Sequence, residues 1–323
     1  MPIEEALPSP PYIDADVRIT LVGAGTIGLS FAALHLPFLN SPSQLTIYDT
    51  RADLAEYVTS TLSKYLPASH QREGERGYDL FSIRLTTSLP DAVRDADIVQ
   101  EQGPENLPLK AAIWADVAKH ARKPEALFWS STSGITATAQ AEAGRLVDEQ
   151  AARLVVVHPY NPPHVMPLLE VVPGVRTSAE TLRRTVAFWQ ARGREPVVLR
   201  KEVPGFVANR LAFALLREAV HLVHEGVVDV DELDRVVQAS MGPRWAVAGP
   251  FQSYHAGGGP GGLEAFFKNI GGTVQRCWDD SGTENVGEGW EGDVFKQADE
   301  AYGVVDTSRR DRLTRGVIEA ARK

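Results

Sequence analysis

The sequence predicts an α/β protein in two parts: a doubly wound domain on a mostly parallel sheet, then an all-helical C-terminal domain. Three observations predict it. A β-branched run, a glycine turn and a helical pattern follow one another in "VRITLVGAGTIGLSFAALHL", from Val17. Strand-like and helix-like stretches then alternate, the pattern of an open parallel sheet. After Pro204 the strand signal stops and long helical patterns take over. With 323 residues, 43% hydrophobic, the chain is long enough for two cores. The pattern predicts a tail over residues 1–16, an α/β NAD-binding domain over 17–200 and a helical domain over 201–323.

In order, "MPIEEALPSPPYIDAD" is rich in proline and acid. It lacks the apolar centre of a signal peptide and the arginines of a mitochondrial presequence, so a loose tail is expected. Val17, Ile19, Thr20 and Val22 suit a buried parallel strand, and "QLTIYD" is the next strand, ending at Asp49. "DLAEYVTSTLSKYL" reads as a helix, residues 68–79 as a polar loop and "SIRLTT" as a short strand. The helices "LPDAVRDA" and "LPLKAAIWADVAKHA" are interleaved with the strands "DIVQEQ" and "ALFWSSTS", and "RLVVVHP" is a further strand. "GFVANRLAFALLREAVHLVHEG" is a long helix apolar on most of its circumference, which predicts burial on several sides, with Gly226 just past its end. "DVDELDRVVQAS" restarts a helix with Asp229 as cap and Glu232 completing a capping box. "GGGPGG" has no following Lys-Ser/Thr, so it reads as a tight bend or flap rather than a phosphate loop.

Composition narrows the function. The net charge is −9 with no basic run, which disfavours a nucleic-acid partner. No apolar run reaches the ~18 residues of a membrane span. Cys277 is the single cysteine, so neither an internal disulfide nor a cysteine-based zinc site fits, and a reducing, cytoplasmic setting follows. His221 and His224 lie three apart, but no further metal ligands accompany them; packing or solvent exposure is expected.

Gly23, Gly25 and Gly28 form G-x-G-x-x-G between a strand and a helix, and Asp49 stands twenty-one residues after Gly28. The first glycine allows a tight turn, the second lets backbone approach a pyrophosphate, and the third lets helix and strand pack closely. Thr26 and Ile27 open the helix, whose N–H groups and positive dipole end face the phosphates. A carboxylate at Asp49 would accept bonds from the adenosine ribose hydroxyls and repel a 2′-phosphate. This is the pattern of a Rossmann dinucleotide site that favours NAD, with Arg51, two residues on, pulling the other way; the alternative is a glycine turn with no ligand.

His158 ends "RLVVV", where ligands of such sheets bind. Prolines 159, 162 and 163 forbid a helix, so "MPLLEVVPG" can run back as a strand and bring Glu170 alongside. A carboxylate on one imidazole nitrogen fixes the tautomer and stabilises the imidazolium formed when the other takes a proton. Beside a nicotinamide, that pair oxidises an alcohol to a ketone. The alternative makes His158 a strand-end histidine and Glu170 a surface carboxylate.

The glycine turn, "VQEQGPENLPLK", "SSTSGI", "HPYNPPHVMPLLEVVPG" and "VPGFVANRLAFALLREAVHLVHEGVV" together resemble the L-3-hydroxyacyl-CoA dehydrogenase superfamily, over roughly residues 17–270. The resemblance implies His158 as base, Glu170 as its partner, and Ser133 and Asn209 near the substrate oxygen or holding that pair. It implies Asn161, Glu105 and Lys110 near the nicotinamide and its ribose. Locally, Ser133 could instead cap a helix, Asn209 could bond backbone at a helix start, and Glu105–Lys110 could be a surface ion pair. A homodimer through the helical domains is implied, with the active site in the cleft between domains.

"GPRWAVAGPFQSYHAGGGPGGLEAFF" looks more like the lambda-crystallin-like L-gulonate 3-dehydrogenases and the L-carnitine dehydrogenases, which act on free hydroxy acids. Arg244 could clamp a substrate carboxylate that a CoA thioester lacks, or pair with a structural acid. Trp245, Tyr254 and Tyr160 could supply part of a cage for a quaternary ammonium, or simply be core. The expected function is NAD-dependent oxidation of a small-molecule 3-hydroxy carboxylate with no metal. Its rivals are an L-3-hydroxyacyl-CoA dehydrogenase and a non-catalytic NAD-binding protein.

Overall fold

A computed structural model describes residues 16–66, 79–304 and 306–322. The expected tail, except Asp16, and the expected polar loop, except Asp79, lie outside them. The chain forms two compact units, Met1–Arg210 and Leu211–Lys323.

The first unit is built on eight strands: β1 (Ile19–Val22), β2 (Leu45–Tyr48), β3 (Arg84–Thr86), β4 (Ile98–Glu101), β5 (Leu127–Ser130), β6 (Leu154–Pro159), β7 (Leu168–Pro173) and β8 (Glu195–Val198). Their spatial order is β3-β2-β1-β4-β5-β6-β7-β8. The first six are parallel, in the doubly wound order that reverses between β1 and β4. β7 runs antiparallel to β6, and β8 parallel to β7.

Helices cover both faces, which is why the strands read as continuous apolar runs instead of alternating ones. Ile19, Leu21, Trp129, Val155 and Val157 pack with α1 (Thr26–His35), α2 (Leu54–Leu62) and α7 (Ala179–Gln190). Val22, Val99, Phe128, Leu154 and Val156 point the other way, against α3 (Leu89–Val93), α4 (Leu107–His120) and α5 (Ala137–Ala143). The short α6 (Asp148–Ala151) leads into β6. Side chains of Ser88, Asn106, Thr136 and Ser178 cap α3, α4, α5 and α7.

α8 (Ala208–His224) starts in the first unit. The second unit continues with α9 (Val230–Ala239), α10 (Met241–Trp245), α11 (Pro250–Gly257), α12 (Gly262–Asp280), α13 (Glu291–Tyr302) and α14 (Thr307–Ala321). Asp229 and Glu232 form the expected capping box on α9. The glycine run is a tight bend: a Cβ on Gly258 would lie 1.7 Å from the Gly262 carbonyl oxygen. The burial expected of α8 is not found. Within it only Val220 and Val223 are buried, while Leu211 is 62% and Phe213 60% exposed. An apolar circumference states what a helix needs covered; among the described residues that cover is not supplied.

Candidate active site

The glycine turn connects β1 to α1 at the point where strand order reverses. Gly23 adopts φ +110°, a conformation open chiefly to glycine, and its N–H donates to the Tyr48 carbonyl at 2.8 Å. A Cβ on Gly28 would lie 2.0 Å from the Gly23 carbonyl oxygen, so only glycine lets α1 approach the turn. Gly25 differs: nothing lies within 4 Å of a Cβ built there, and no side chain caps α1. Thr26 and Ile27 open that uncapped, positive helix end. Asp49 follows β2 and accepts from the Ala24 N–H at 2.8 Å and the Arg51 N–H at 3.0 Å, which fixes its carboxylate at the rim of the turn.

Gln102, just past β4, was not singled out by the sequence reading. Both polar atoms of its side-chain amide are buried without a partner, and its Oε1 would lie 3.6 Å from a Cβ on Gly28. A buried amide without a partner beside an open, uncapped helix start is the fit expected of a dinucleotide pyrophosphate site. Polar Gln100, Glu101 and Gln102 at the end of a buried strand were the available signal.

Lys110 is fully buried rather than at the surface, with Nζ 2.8 and 3.0 Å from the two Glu101 oxygens and 3.1 Å from the Gly103 carbonyl, so its main ionic partner is Glu101. Glu105 Oε2 is farther, at 4.0 Å. Burial pushes the Glu101 carboxyl up, against the opposing pull of Lys110, the Gly103 N–H and the Ser130 hydroxyl. A carboxylate ending β4 takes the ammonium inward because the fold brings α4 back over that strand end.

Glu105 does something else. Its Oε1 accepts from the Thr132 hydroxyl, from Ser133 N–H at 3.1 Å and from Gly134 N–H at 2.9 Å. It therefore gathers the loop after β5, and Ser133 does not cap a helix; Thr136 caps α5. Asn209, in the first turn of α8, donates from Nδ2 to the Ser133 carbonyl at 3.3 Å. Ser133, Glu105 and Asn209 are thus brought together.

β6 and β7 pair with His158 directly opposite Glu170. His158 Nδ1 and Glu170 Oε2 are 2.8 Å apart, with side chains 5% and 3% exposed. Glu170 Oε1 accepts from the N–H groups of Val207 at 2.8 Å and Ala208 at 3.0 Å, at the start of α8. Burial would raise this carboxyl, but the bonds from His158, Ala208 and Val207 outweigh it and hold it below its usual range. Among the described residues no hydrogen bond reaches His158 Nε2. Phe206 is fully buried at φ +53°, with its ring 5.2 Å from the imidazole. Its role was not legible from the sequence beyond its place between Gly205 and α8.

Tyr160 is half-buried and Asn161 exposed in the loop after β6. Arg244 and Trp245 close α10 in the second unit; Trp245 is 40% exposed. Among the described residues Arg244 makes no ion pair, so the structural-acid alternative has no partner here. Tyr254 packs its ring 4.9 Å from Phe266. His221 is neither simply packed nor simply solvated: its Nδ1 meets Glu284 Oε1 at 2.5 Å.

The carboxyl ends of β1, β4, β5 and β6 lie side by side, so the glycine turn, Gln102, the 131–134 loop and His158 share one edge of the sheet. A braced imidazole on the edge that receives a dinucleotide is the equipment of an NAD-dependent oxidoreductase. Comparison with known proteins gives the same class. Residues 18–203 match the 3-hydroxyacyl-CoA dehydrogenase NAD binding domain, and residues 205–284 the 3-hydroxyacyl-CoA dehydrogenase C-terminal domain. The chain belongs to the 3-hydroxyacyl-CoA dehydrogenase family. It is 35% identical to an L-carnitine dehydrogenase of Streptomyces griseus, over 98% of this chain and 96% of that one. It is 33% identical to a 3-hydroxyacyl-CoA dehydrogenase of Gibberella moniliformis, over 86% and 80%. A crystal structure of 5-formyl-3-hydroxy-2-methylpyridine 4-carboxylic acid 5-dehydrogenase, an NAD+-dependent dismutase, matches with TM-score 0.72 at 27% identity, covering 95% of this chain and 98% of that one.

Proposed function

We propose that this enzyme oxidises the 3-hydroxyl of a free, carnitine-like 3-hydroxy carboxylate, with His158 as general base and Glu170 as its partner. The observation that carries the reading is the 2.8 Å contact of a buried imidazole and carboxylate, with the imidazole's other nitrogen left without a protein partner among the described residues. Bound NAD supplies the hydride acceptor. Gly23, Gly25, Gly28, Thr26, Ile27 and Gln102 would hold its pyrophosphate, and Asp49 its adenosine ribose. His158 Nε2 would take the proton of the 3-hydroxyl as the carbon bearing that hydroxyl is oxidised. Glu170 keeps the proton of neutral His158 on Nδ1 and stabilises the imidazolium afterwards. Ser133 and Asn209 would touch the substrate oxygen; Asn161 and Glu105 would face the nicotinamide and its ribose, with Lys110 acting from beneath through Glu101 and Gly103.

The relatives named L-carnitine dehydrogenase support the free-acid reading, with Arg244 clamping the carboxylate and Trp245 and Tyr160 contributing to the substrate pocket. A gulonate-like acid is the nearest variant. A panel of L-carnitine, L-gulonate, 3-hydroxybutyrate and 3-hydroxybutyryl-CoA with NAD tests it. Turnover of the thioester alone replaces the free acid with the alternative for which the Gibberella relative speaks. Arg244→Met should raise KM for a free acid by about 2 kcal/mol in binding and leave a thioester nearly unaffected. If no substrate gives turnover that His158→Ala abolishes, yet NADH binds, the protein is a non-catalytic NAD binder. The exposed apolar side chains of Leu211, Phe213 and Leu216 on α8 support a homodimer through the helical unit, which analytical ultracentrifugation checks. No helix of the described residues is long and apolar enough to cross a membrane; with the single exposed cysteine, a cytoplasmic setting is our reading.

A further inference from the structure

A guanidinium lies two positions beyond Asp49, the acid proposed for the adenosine ribose, and it is already engaged. Arg51 follows Asp49 by two positions. Its Nε donates to Asp53 Oδ1 at 2.7 Å and its Nη2 to Oδ2 at 3.2 Å. Its Cζ lies 3.4 Å from the centroid of the Tyr57 ring. The planar fork is thus spent on a carboxylate in the geometry it would use on a phosphate.

Asp53 supplies an independent sign. It is the N-cap residue of α2, a position where aspartate ordinarily accepts from the first turn, yet its side chain makes no cap bond. The carboxylate is turned to the guanidinium instead. Asp49 and Asp53 then flank one cation and leave the rim of the nucleotide site negative. The pair lies at the surface, Arg51 half-buried at 32% and Asp53 exposed at 57%, so it adds little to stability and can be removed without unfolding the domain.

We propose that Asp53 and Tyr57 are specificity-determining residues: by engaging Arg51 they withhold it from the adenosine 2′ position and keep the site selective for a dinucleotide with a free 2′-hydroxyl. Asp49 selects through its own charge; Asp53 and Tyr57 select through the arginine. The inference concerns the nucleotide site alone and stands or falls independently of which hydroxy acid is oxidised.

The test is calorimetric titration of ADP and of 2′,5′-ADP into the intact protein, without substrate. Asp53→Asn should tighten 2′,5′-ADP by about tenfold and leave ADP within about twofold. The gain should vanish in Asp53→Asn/Arg51→Ala, which distinguishes a released guanidinium from the mere loss of a negative charge. Tyr57→Leu, which keeps apolar bulk and removes the aromatic face, should give a smaller change in the same direction. In turnover, kcat/KM for NADP relative to NAD should rise in parallel. An unmoved ratio in Asp53→Asn, or a gain that survives without Arg51, overturns the proposal. So does an Arg51→Ala single variant that weakens ADP as much as 2′,5′-ADP, because Arg51 would then serve the adenosine directly. An unmoved ratio in Tyr57→Leu overturns the part assigned to Tyr57.

Discussion

Replacing Glu170 by glutamine separates its two tasks. The carboxylate accepts three bonds: from His158 Nδ1 at 2.8 Å, Val207 N–H at 2.8 Å and Ala208 N–H at 3.0 Å. An amide of the same shape offers one acceptor oxygen and one NH2. If the oxygen stays with the two backbone donors, the NH2 faces Nδ1, which must then accept. The ring proton moves to Nε2, and the base is blocked. If the amide turns round, Nδ1 keeps its acceptor, but the NH2 confronts two N–H groups. That forfeits two charge-assisted bonds at about 1.5–3 kcal/mol each, or about 3–6 kcal/mol. The first orientation is favoured, so Glu170→Gln should lose ~10²–10⁴ in kcat. Its NADH affinity and thermal unfolding should change much less. Glu170→Ala strands all the donors and should cost about 3–5 kcal/mol of stability. The Glu170 carboxyl is held below its usual range, so its contribution to stability is present above the ordinary glutamate value of 4.5 and lost as pH falls through the lower folded value. The stability gap between wild type and Glu170→Gln should therefore close in acid. Steady-state NADH formation, NADH titration and unfolding against pH measure these effects. A glutamine variant that keeps kcat within about tenfold of wild type would refute the tautomer argument.

Three further outcomes follow from contacts in the first unit. Gly28→Ala forces a methyl into the Gly23 carbonyl and should cost about 1–3 kcal/mol together with NADH binding, whereas Gly25→Ala, with open space around its Cβ, should unfold within about 0.5 kcal/mol of wild type and lose binding alone; equal losses of stability in the two, read by chemical denaturation, would contradict the turn geometry. Lys110→Met leaves Glu101 buried without its cation and should cost about 3–5 kcal/mol, while Glu101→Met/Lys110→Met should recover most of it; urea unfolding of the two variants is the check. Burial takes the His35 imidazole down to about 3, from 6.5, against the opposing bond to Gln100. The unfolded chain therefore binds the extra proton first, and stability should fall by up to ~1.4 kcal/mol per pH unit as pH drops from 6.5 toward 3, a slope that His35→Leu should reduce by one proton.

The doubly wound core was legible because its strands are β-branched runs with both faces covered, and because three glycines and an aspartate have spacings that local geometry dictates. The return strand carrying Glu170 was legible from prolines that exclude a helix. Other parts carry weaker local signals. β8 is four residues long, contains Pro196 and leaves Val197 52% exposed, so it has almost no strand pattern of its own and exists by pairing with β7. The burial of Lys110 was hidden for a different reason. A lysine in a helix reads as solvated, and only the return of α4 over the end of β4 gives it a carboxylate to meet. The exposed face of α8 shows the limit from the other side: apolar periodicity records that a surface is to be covered and carries no information on whether the same chain covers it.

The reversal of the sheet at β7 explains why the brace on His158 takes the form it does. Parallel strands deliver their carboxyl ends to one edge, which gathers the nucleotide turn and His158 but offers the imidazole no neighbour. β5 pairs with β6 only as far as Val156, two residues short of His158. A strand running back along β6 places its side chains opposite at about 4.5–5.5 Å between Cβ atoms, within reach of a glutamate. Glu170 occupies that position, and its second oxygen lies on the N–H groups that open α8. With His158 in the proposed role of base, the order of events during turnover makes sense electrostatically. Before the proton arrives, the buried carboxylate faces a neutral ring, and the two backbone donors with the positive helix end offset the cost of burying its charge. Once Nε2 is protonated, the same carboxylate faces an imidazolium, and the pair is internally neutral. A carboxylate braced only by histidine would have to be protonated, or left uncompensated, in the resting state. The helix start favours its remaining ionised in both, which is what the base proposed for that strand end requires.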